Sequence, residues 1–208
     1  MVSYCGKTKD ELLDELFTIE SELFYNSYIK SNEIWYFNRL FGNNKSAEQY
    51  YSEISDIVCQ SFKIATNNFL IVGSAKLGFS LSPIKKFKSF NSDGNDYTQS
   101  DIDIAIISPE LFKDSWQKLK DLKYITFINN YPGISSNIFR GFVNDKNIFE
   151  QISLKLELLD MIDNCARDIR DEFGVIEPIN FRIYDSWDDL KKYTIDGIVK
   201  CKENKNGI

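Results

Sequence analysis

The chain has 208 residues, a net charge of −6 and a composition that is 43% hydrophobic, with 16 Phe and 11 Tyr. That apolar supply suits a globular core and excludes general disorder, and the acidic balance excludes a surface built for indiscriminate nucleic-acid binding, though a local basic patch remains open. The complete absence of histidine removes Ser-His-Asp and Cys-His catalysis and His-ligated metals, so any chemistry must run on carboxylates, Lys, Tyr, Ser or Cys, with a hard, oxygen-preferring metal.

From Lys9 to Tyr28, the positions Leu12, Leu13, Leu16, Phe17, Ile19 and Leu23 recur at helical spacing and predict an amphipathic helix. Ile34 to Phe41 is aromatic-rich and reads as a second, short helix ending at Gly42-Asn43-Asn44. Ser46 is placed to cap a third helix running to about Ala65, with Tyr50, Ile54, Val58 and Phe62 on one face. The period then changes. Phe69-Leu70-Ile71-Val72 is a continuous apolar run stopped by Gly73-Ser74, which reads as a buried strand, and a short helical turn over Ala75 to Leu81 follows.

Ser82 to Ser100 reads as a long loop with a basic cluster at Lys85, Lys86 and Lys88. Asp101 to Ile107 begins as strict alternation and ends apolar, as a strand entering the core does. Pro109 suits the first turn of a helix to about Leu122, and Tyr131-Pro132-Gly133 reads as a turn. A long amphipathic helix is expected from Asn147 to Phe173, ended by Gly174, then a third strand over Val175 to Tyr184 and a closing helix over Ser186 to Lys202.

This order predicts an α+β fold with a small mixed β-sheet and helices packed around it, a helical region over 1–66 and a sheet-bearing core over 67–208 forming one compact unit. Trp35, Trp116 and Trp187 sit among helical apolar positions and are expected in the core. Cys5, Cys59, Cys165 and Cys201 have no paired spacing and read as reduced thiols. No run of about 18 apolar residues and no signal-peptide pattern is present, so the expectation is a cytoplasmic protein with no membrane contact.

The chemistry concentrates at two places. Asp101 and Asp103 are two apart in a strand and point to one side, where two carboxylates repel unless protonated or bridged by a cation. A divalent metal such as Mg²⁺ or Mn²⁺, its shell completed by triphosphate oxygens, resolves that repulsion; two solvated acids on an edge strand fit the same pattern. Upstream, Gly73 allows close backbone approach, Ser74 offers a hydroxyl and an N–H, and Lys76 follows. An ordinary strand-to-helix turn explains that piece equally well by itself.

Taken together, Phe69 to Ser74 followed by Asp101 to Ile107 resembles the core motif of the DNA polymerase β-like nucleotidyltransferase superfamily, a Gly-Ser turn ahead of an Asp-x-Asp strand. The motif covers a small part of the chain, and its gap is lengthened by an insertion around Lys85 to Tyr97. The resemblance implies that Asp101 and Asp103 bind metals and that Ser74 binds the triphosphate tail. It also implies a third carboxylate on a later strand. The matching segment, Ile179-Asn180-Phe181-Arg182-Ile183, carries Asn180 in that place. An amide adds no negative charge and cannot act as a base, a loss of roughly two to four orders of magnitude in rate.

Asp185 and Glu177 are the alternatives for the missing acid, and Asp185 also suits a helix N-cap. Arg182 is placed either to reach a phosphate or to pair with Asp101 or Asp103. Lys85, Lys86 and Lys88 would clamp a triphosphate or a nucleic-acid backbone, with Phe87 and Phe90 to stack on a base, or else form a solvated loop. Two functions follow from the resemblance. One is nucleotidyl transfer from a nucleoside triphosphate to a hydroxyl on a small molecule, an RNA end or a protein. The other is a degenerate relative that binds nucleotide, nucleic acid or a protein partner, as in bacterial toxin-antitoxin or anti-phage systems.

Overall fold

The computed structural model describes residues 3–42, 44–91, 99–145 and 157–203. Helix α1 (Lys9–Thr18) opens on a capping box, with the Thr8 side chain accepting from Glu11 N–H while Glu11 reaches back to the Thr8 N–H. The expected run to Tyr28 is interrupted. Ile19 is extended, and the chain restarts as α2 (Ser21–Phe24), continuing into a π-helical turn over Tyr25–Ile29. Helical spacing persists across that break, but Leu23, which it assigns to the buried face, is exposed.

Helices α3 (Trp35–Phe41) and α4 (Ala47–Phe62) follow. Tyr50, Ile54, Val58 and Phe62 of α4 are all buried, as their i, i+4 spacing requires. Strand β1 (Phe69–Val72), helix α5 (Gly73–Leu77) and a 3₁₀ turn over Pro83–Lys85 lead toward β2 (Ile102–Ile107). Helix α6 (Pro109–Leu122) starts with Pro109 in its first turn and Ser108 as cap.

The turn expected at Tyr131-Pro132-Gly133 is instead the first turn of α7 (Tyr131–Phe139). Proline in a helix's opening turn loses no hydrogen bond there, so Pro-Gly does not stop this helix. A short strand β3 (Phe142–Asn144), too brief to show a period, comes next. Of the helix expected over 147–173, Glu157–Phe173 is α8, and its first part lies outside the described residues. Strand β4 (Ile179–Tyr184) and helix α9 (Trp187–Glu203) complete the chain.

The four strands form one mixed sheet in the order β1-β2-β4-β3. Ile107 N–H donates to the carbonyl of Asn68, which sets the end of β2 beside the start of β1 and makes that pair antiparallel. Ser108 N–H donates to Tyr184, so β2 and β4 end side by side and run parallel. Strands β3 and β4 are antiparallel, with Phe142 opposite Tyr184 and Asn144 opposite Arg182. The α+β architecture expected from the element order is the one observed.

The chain forms two compact units. One comprises Met1–Ile54, Ile71–Asp103 and Lys191–Ile208; the other comprises Ser55–Leu70 and Ile104–Leu190. In the first, an aromatic stack of Phe37 with Phe41 and Tyr50 fills the interior, and Cys201 donates to the Leu81 carbonyl. In the second, Phe62 packs on Phe181 at 5.3 Å and the apolar stripe of α8 from Leu158 to Phe173 is buried. The four cysteines are free thiols. Trp116 does not reach the core: it is 45% exposed. Among the described residues no helix is long and apolar enough to cross a membrane.

Candidate functional site

All four residues of β1 are buried, so the strand offers nothing laterally and only its end is open to chemistry. That end is Gly73, which has a positive φ of 71°. A Cβ built on it would lie 2.7 Å from Asp103 Oδ2 and 3.5 Å from Asp103 Cγ. The carboxylate therefore rests against the main chain of the corner, in space that any other residue's side chain would take. Both residues belong to the first unit.

Asp103 is half-buried on β2 between buried Ile102 and Ile104. Asp101 stands one residue ahead of the strand, and the same alternation of half-buried and buried positions runs from Asp101 to Ile104. The pair thus keeps one side of the chain, with Asp103 the member held by the ladder. Ser74 is half-buried in the first turn of α5, and its carbonyl accepts the N–H of Gly78.

Lys76 overturns its expected role. Its side chain is fully buried, and its ammonium donates to the main-chain carbonyls of Ser31 and of Glu33, the latter at 2.8 Å. Helix geometry explains this: at about 100° per residue, Lys76 lies about 200° around α5 from Ser74, on the opposite face. Ser74 and Lys76 cannot grip one phosphate. Burial pushes Lys76 down to about 7. Above that value, as a neutral amine, it has two N–H donors, matching its two carbonyl partners.

The loop lysines Lys85 and Lys86 are exposed, on a reversal where Lys86 and Phe87 both adopt left-handed backbone. The aromatic residues expected to stack on a base are used in packing instead. Phe87 meets Phe17 edge-on at 5.6 Å, and Phe90 is buried against Trp35 and Tyr36. Part of the insertion, 92–98, lies outside the described residues.

In the second unit, Asn180 is 9% exposed on β4, the sheet neighbour of β2. Arg182 holds its guanidinium 5.9 Å from the Phe142 ring centroid, a cation–π arrangement. Asp185 does not cap α9. Its N–H donates to the Gly141 carbonyl, and the cap is Ser186, whose Oγ accepts from Asp189 N–H. Glu177 is buried.

One buried acid escaped the sequence reading. Asp145, just beyond β3, accepts the N–H of Phe181 through Oδ2 at 2.8 Å and so pins β4 between Asn180 and Arg182. The signal was there in Phe142-Val143-Asn144-Asp145, an apolar pair running into an acid, but three strand residues are too few to trust. Among the described residues no three His, Cys, Asp or Glu side chains group closely enough to hold a metal ion. No protein-family model, no curated protein and no solved structure matches this chain.

Proposed function

We propose that this chain is a nucleotidyltransferase-like protein that holds a nucleoside triphosphate and a divalent cation at the Gly73-Ser74 corner and the Asp101/Asp103 pair. The observation that carries the reading is the seating of the Asp103 carboxylate against Gly73. Residues far apart in sequence meet there as a glycine-serine corner facing an acid on a neighbouring strand. The donor set suits Mg²⁺ or Mn²⁺: Asp101 and Asp103 supply hard anionic oxygens, and Asp103 is partly withdrawn from water. Such an ion polarises phosphoryl oxygens and offsets the repulsion between the two carboxylates.

Asn180, standing where the resemblance implies an acid, favours binding over rapid turnover, because an amide adds no negative charge and cannot take a hydroxyl's proton. With Lys76 withdrawn, the phosphate contacts left to this corner are Ser74 and main-chain N–H groups, a modest set. The reading is therefore a nucleotide-binding protein with slow nucleotidyl transfer to a hydroxyl acceptor. The acceptor is a small molecule, an RNA end or a protein.

Thermal unfolding in Mg²⁺ with each nucleoside triphosphate tests this. A ligand at about 100 times its Kd stabilises the folded state by about 2.7 kcal/mol, and the Asp101→Ala, Asp103→Ala double variant should lose the effect. An equal rise in the variant rejects the site.

A further inference from the structure

Helix α6, in the second unit, runs into a loop whose apolar residues have no cover. Tyr124, Ile125 and Phe127 are 79%, 80% and 85% exposed, and Trp116 before them and Tyr131 after them are exposed as well. Single surface apolar residues need no explanation, but these three stand together as a bare tip. Ile128, next in the chain, is buried and holds the loop to the fold. Tyr131, at the start of α7, ties back to the end of α6. Its hydroxyl accepts from the Lys123 ammonium at 2.9 Å, and that ammonium lies 4.7 Å from its ring centroid.

The seven charges from Pro109 to Tyr131 nearly balance, four lysines against three acids, so their placement matters more than their sum. At about 100° per residue, Lys113, Lys120 and Lys123 fall within about 60° of Trp116 and make one stripe with it. The acids Glu110, Asp114 and Asp121 fall at about 120–160° from Trp116, nearly opposite the buried Phe112, Ser115 and Leu119. Asp114 is engaged by Lys118 at 2.6 Å on that acidic side, which takes nothing from the stripe. Asp121 accepts from the Gln117 amide at 2.8 Å. The stripe therefore carries three ammonium groups with no acid among them, and Lys123 is bound by a neutral phenol that leaves its charge in place. It ends at the bare tip, since Lys123 directly precedes Tyr124.

We propose that the stripe and tip are a docking surface for an acidic polypeptide segment with apolar anchors, carried by another protein. Its carboxylates meet Lys113, Lys120 and Lys123, and its apolar side chains cover Tyr124, Ile125 and Phe127. The sorting of charge selects this occupant. A second copy packed stripe to stripe about a twofold axis near Trp116 sets basic residues against basic residues. A flat anionic bilayer that reaches the stripe also presses on the acidic crest of the same helix. A nucleic-acid strand brings a phosphate with every nucleotide to those acids, and Ile125 offers no face on which a base can stack. A narrow polypeptide follows the stripe alone.

The probe is an amphipathic helical peptide built of Glu and Leu, titrated against ¹⁵N-labelled full-length protein while the tryptophan indole N–H signals are followed. Trp116→Phe assigns the signal of interest. The Trp116 signal should move saturably, while those of Trp35 and Trp187 stay in place. The same peptide with Gln for every Glu should bind about tenfold more weakly, the effect of losing a few exposed ion pairs. The Lys113→Gln, Lys120→Gln, Lys123→Gln variant should weaken the acidic peptide by a similar factor. Ile125→Ser with Phe127→Ser should weaken it by about tenfold or more. All five positions are exposed, so folding is not at stake. Lys118→Gln, off the stripe, should leave the affinity unchanged. An unmoved Trp116 signal, equal affinity for the Gln peptide, or full binding by either multiple variant overturns the proposal. Tighter binding of oligouridylate or of phosphatidylserine vesicles than of the peptide does so too, by making the occupant a nucleic acid or a membrane. So does a dimer in sedimentation that the Ile125→Ser, Phe127→Ser variant dissolves.

Discussion

Replacing Gly73 with alanine probes the corner most directly. Two costs are expected. The first is conformational: a φ of 71° is the left-handed region, where a Cβ costs roughly 1–2 kcal/mol. The second is a clash, since the new Cβ would stand 2.7 Å from Asp103 Oδ2. Relief requires the Asp103 side chain to leave its rotamer, at roughly 0.5–1.5 kcal/mol. The total is about 1.5–3.5 kcal/mol, and the two parts are separable. In an Asp103→Ala background the clash disappears and the backbone strain remains, so Gly73→Ala should cost about 1 kcal/mol less there. Urea unfolding of the parent, both single variants and the double variant measures that coupling. If Gly73→Ala costs the same in both backgrounds, to within roughly 0.5 kcal/mol, the carboxylate does not rest on the corner and the site reasoning fails.

Other consequences follow from neighbouring residues. Lys76 is depressed to about 7 in the fold, against about 10.4 when unfolded, so between those values the unfolded chain holds more protons and stability rises with pH. The rise is about 1.4 kcal/mol per pH unit, an upper figure, and Lys76→Met should flatten the pH profile between 7 and 9; parallel profiles would show that Lys76 stays charged in the fold. Asp145→Ala strands the N–H of Phe181 and should destabilise by about 1–3 kcal/mol in chemical denaturation, whereas no loss would mean that another group takes up that N–H. Asn180→Asp should raise nucleotidyl transfer by about two orders of magnitude if the missing base limits the rate, measured as label transferred from a triphosphate; no gain points to a different strand or a different reaction.

Much of this fold is legible in the sequence because periodicity is a local property of the chain. Tyr50, Ile54, Val58 and Phe62 declare one helical face, Phe69 to Val72 a buried strand, and the alternation from Asp101 to Ile104 a strand entering the core, all matched by the burial found there. Glycine before serine marked the turn that ends the buried strand, which an ordinary strand-to-helix turn explains as well. Failures cluster where the determining partner lies far along the chain. Trp116 is in a helical apolar position, yet it is exposed. Lys76 sits two residues from Ser74, yet the carbonyls that claim it belong to Ser31 and Glu33.

Sequence alone determined the composition of the elements, their order, the two acids and the glycine that could meet them, because each depends on residues within a few positions of one another. Only the folded chain decided that Asp103 reaches Gly73 across a sheet and that Lys76 turns inward. Those meetings depend on strand pairing and helix packing between distant segments. Their free energies come from burial and hydrogen bonding that no local pattern encodes.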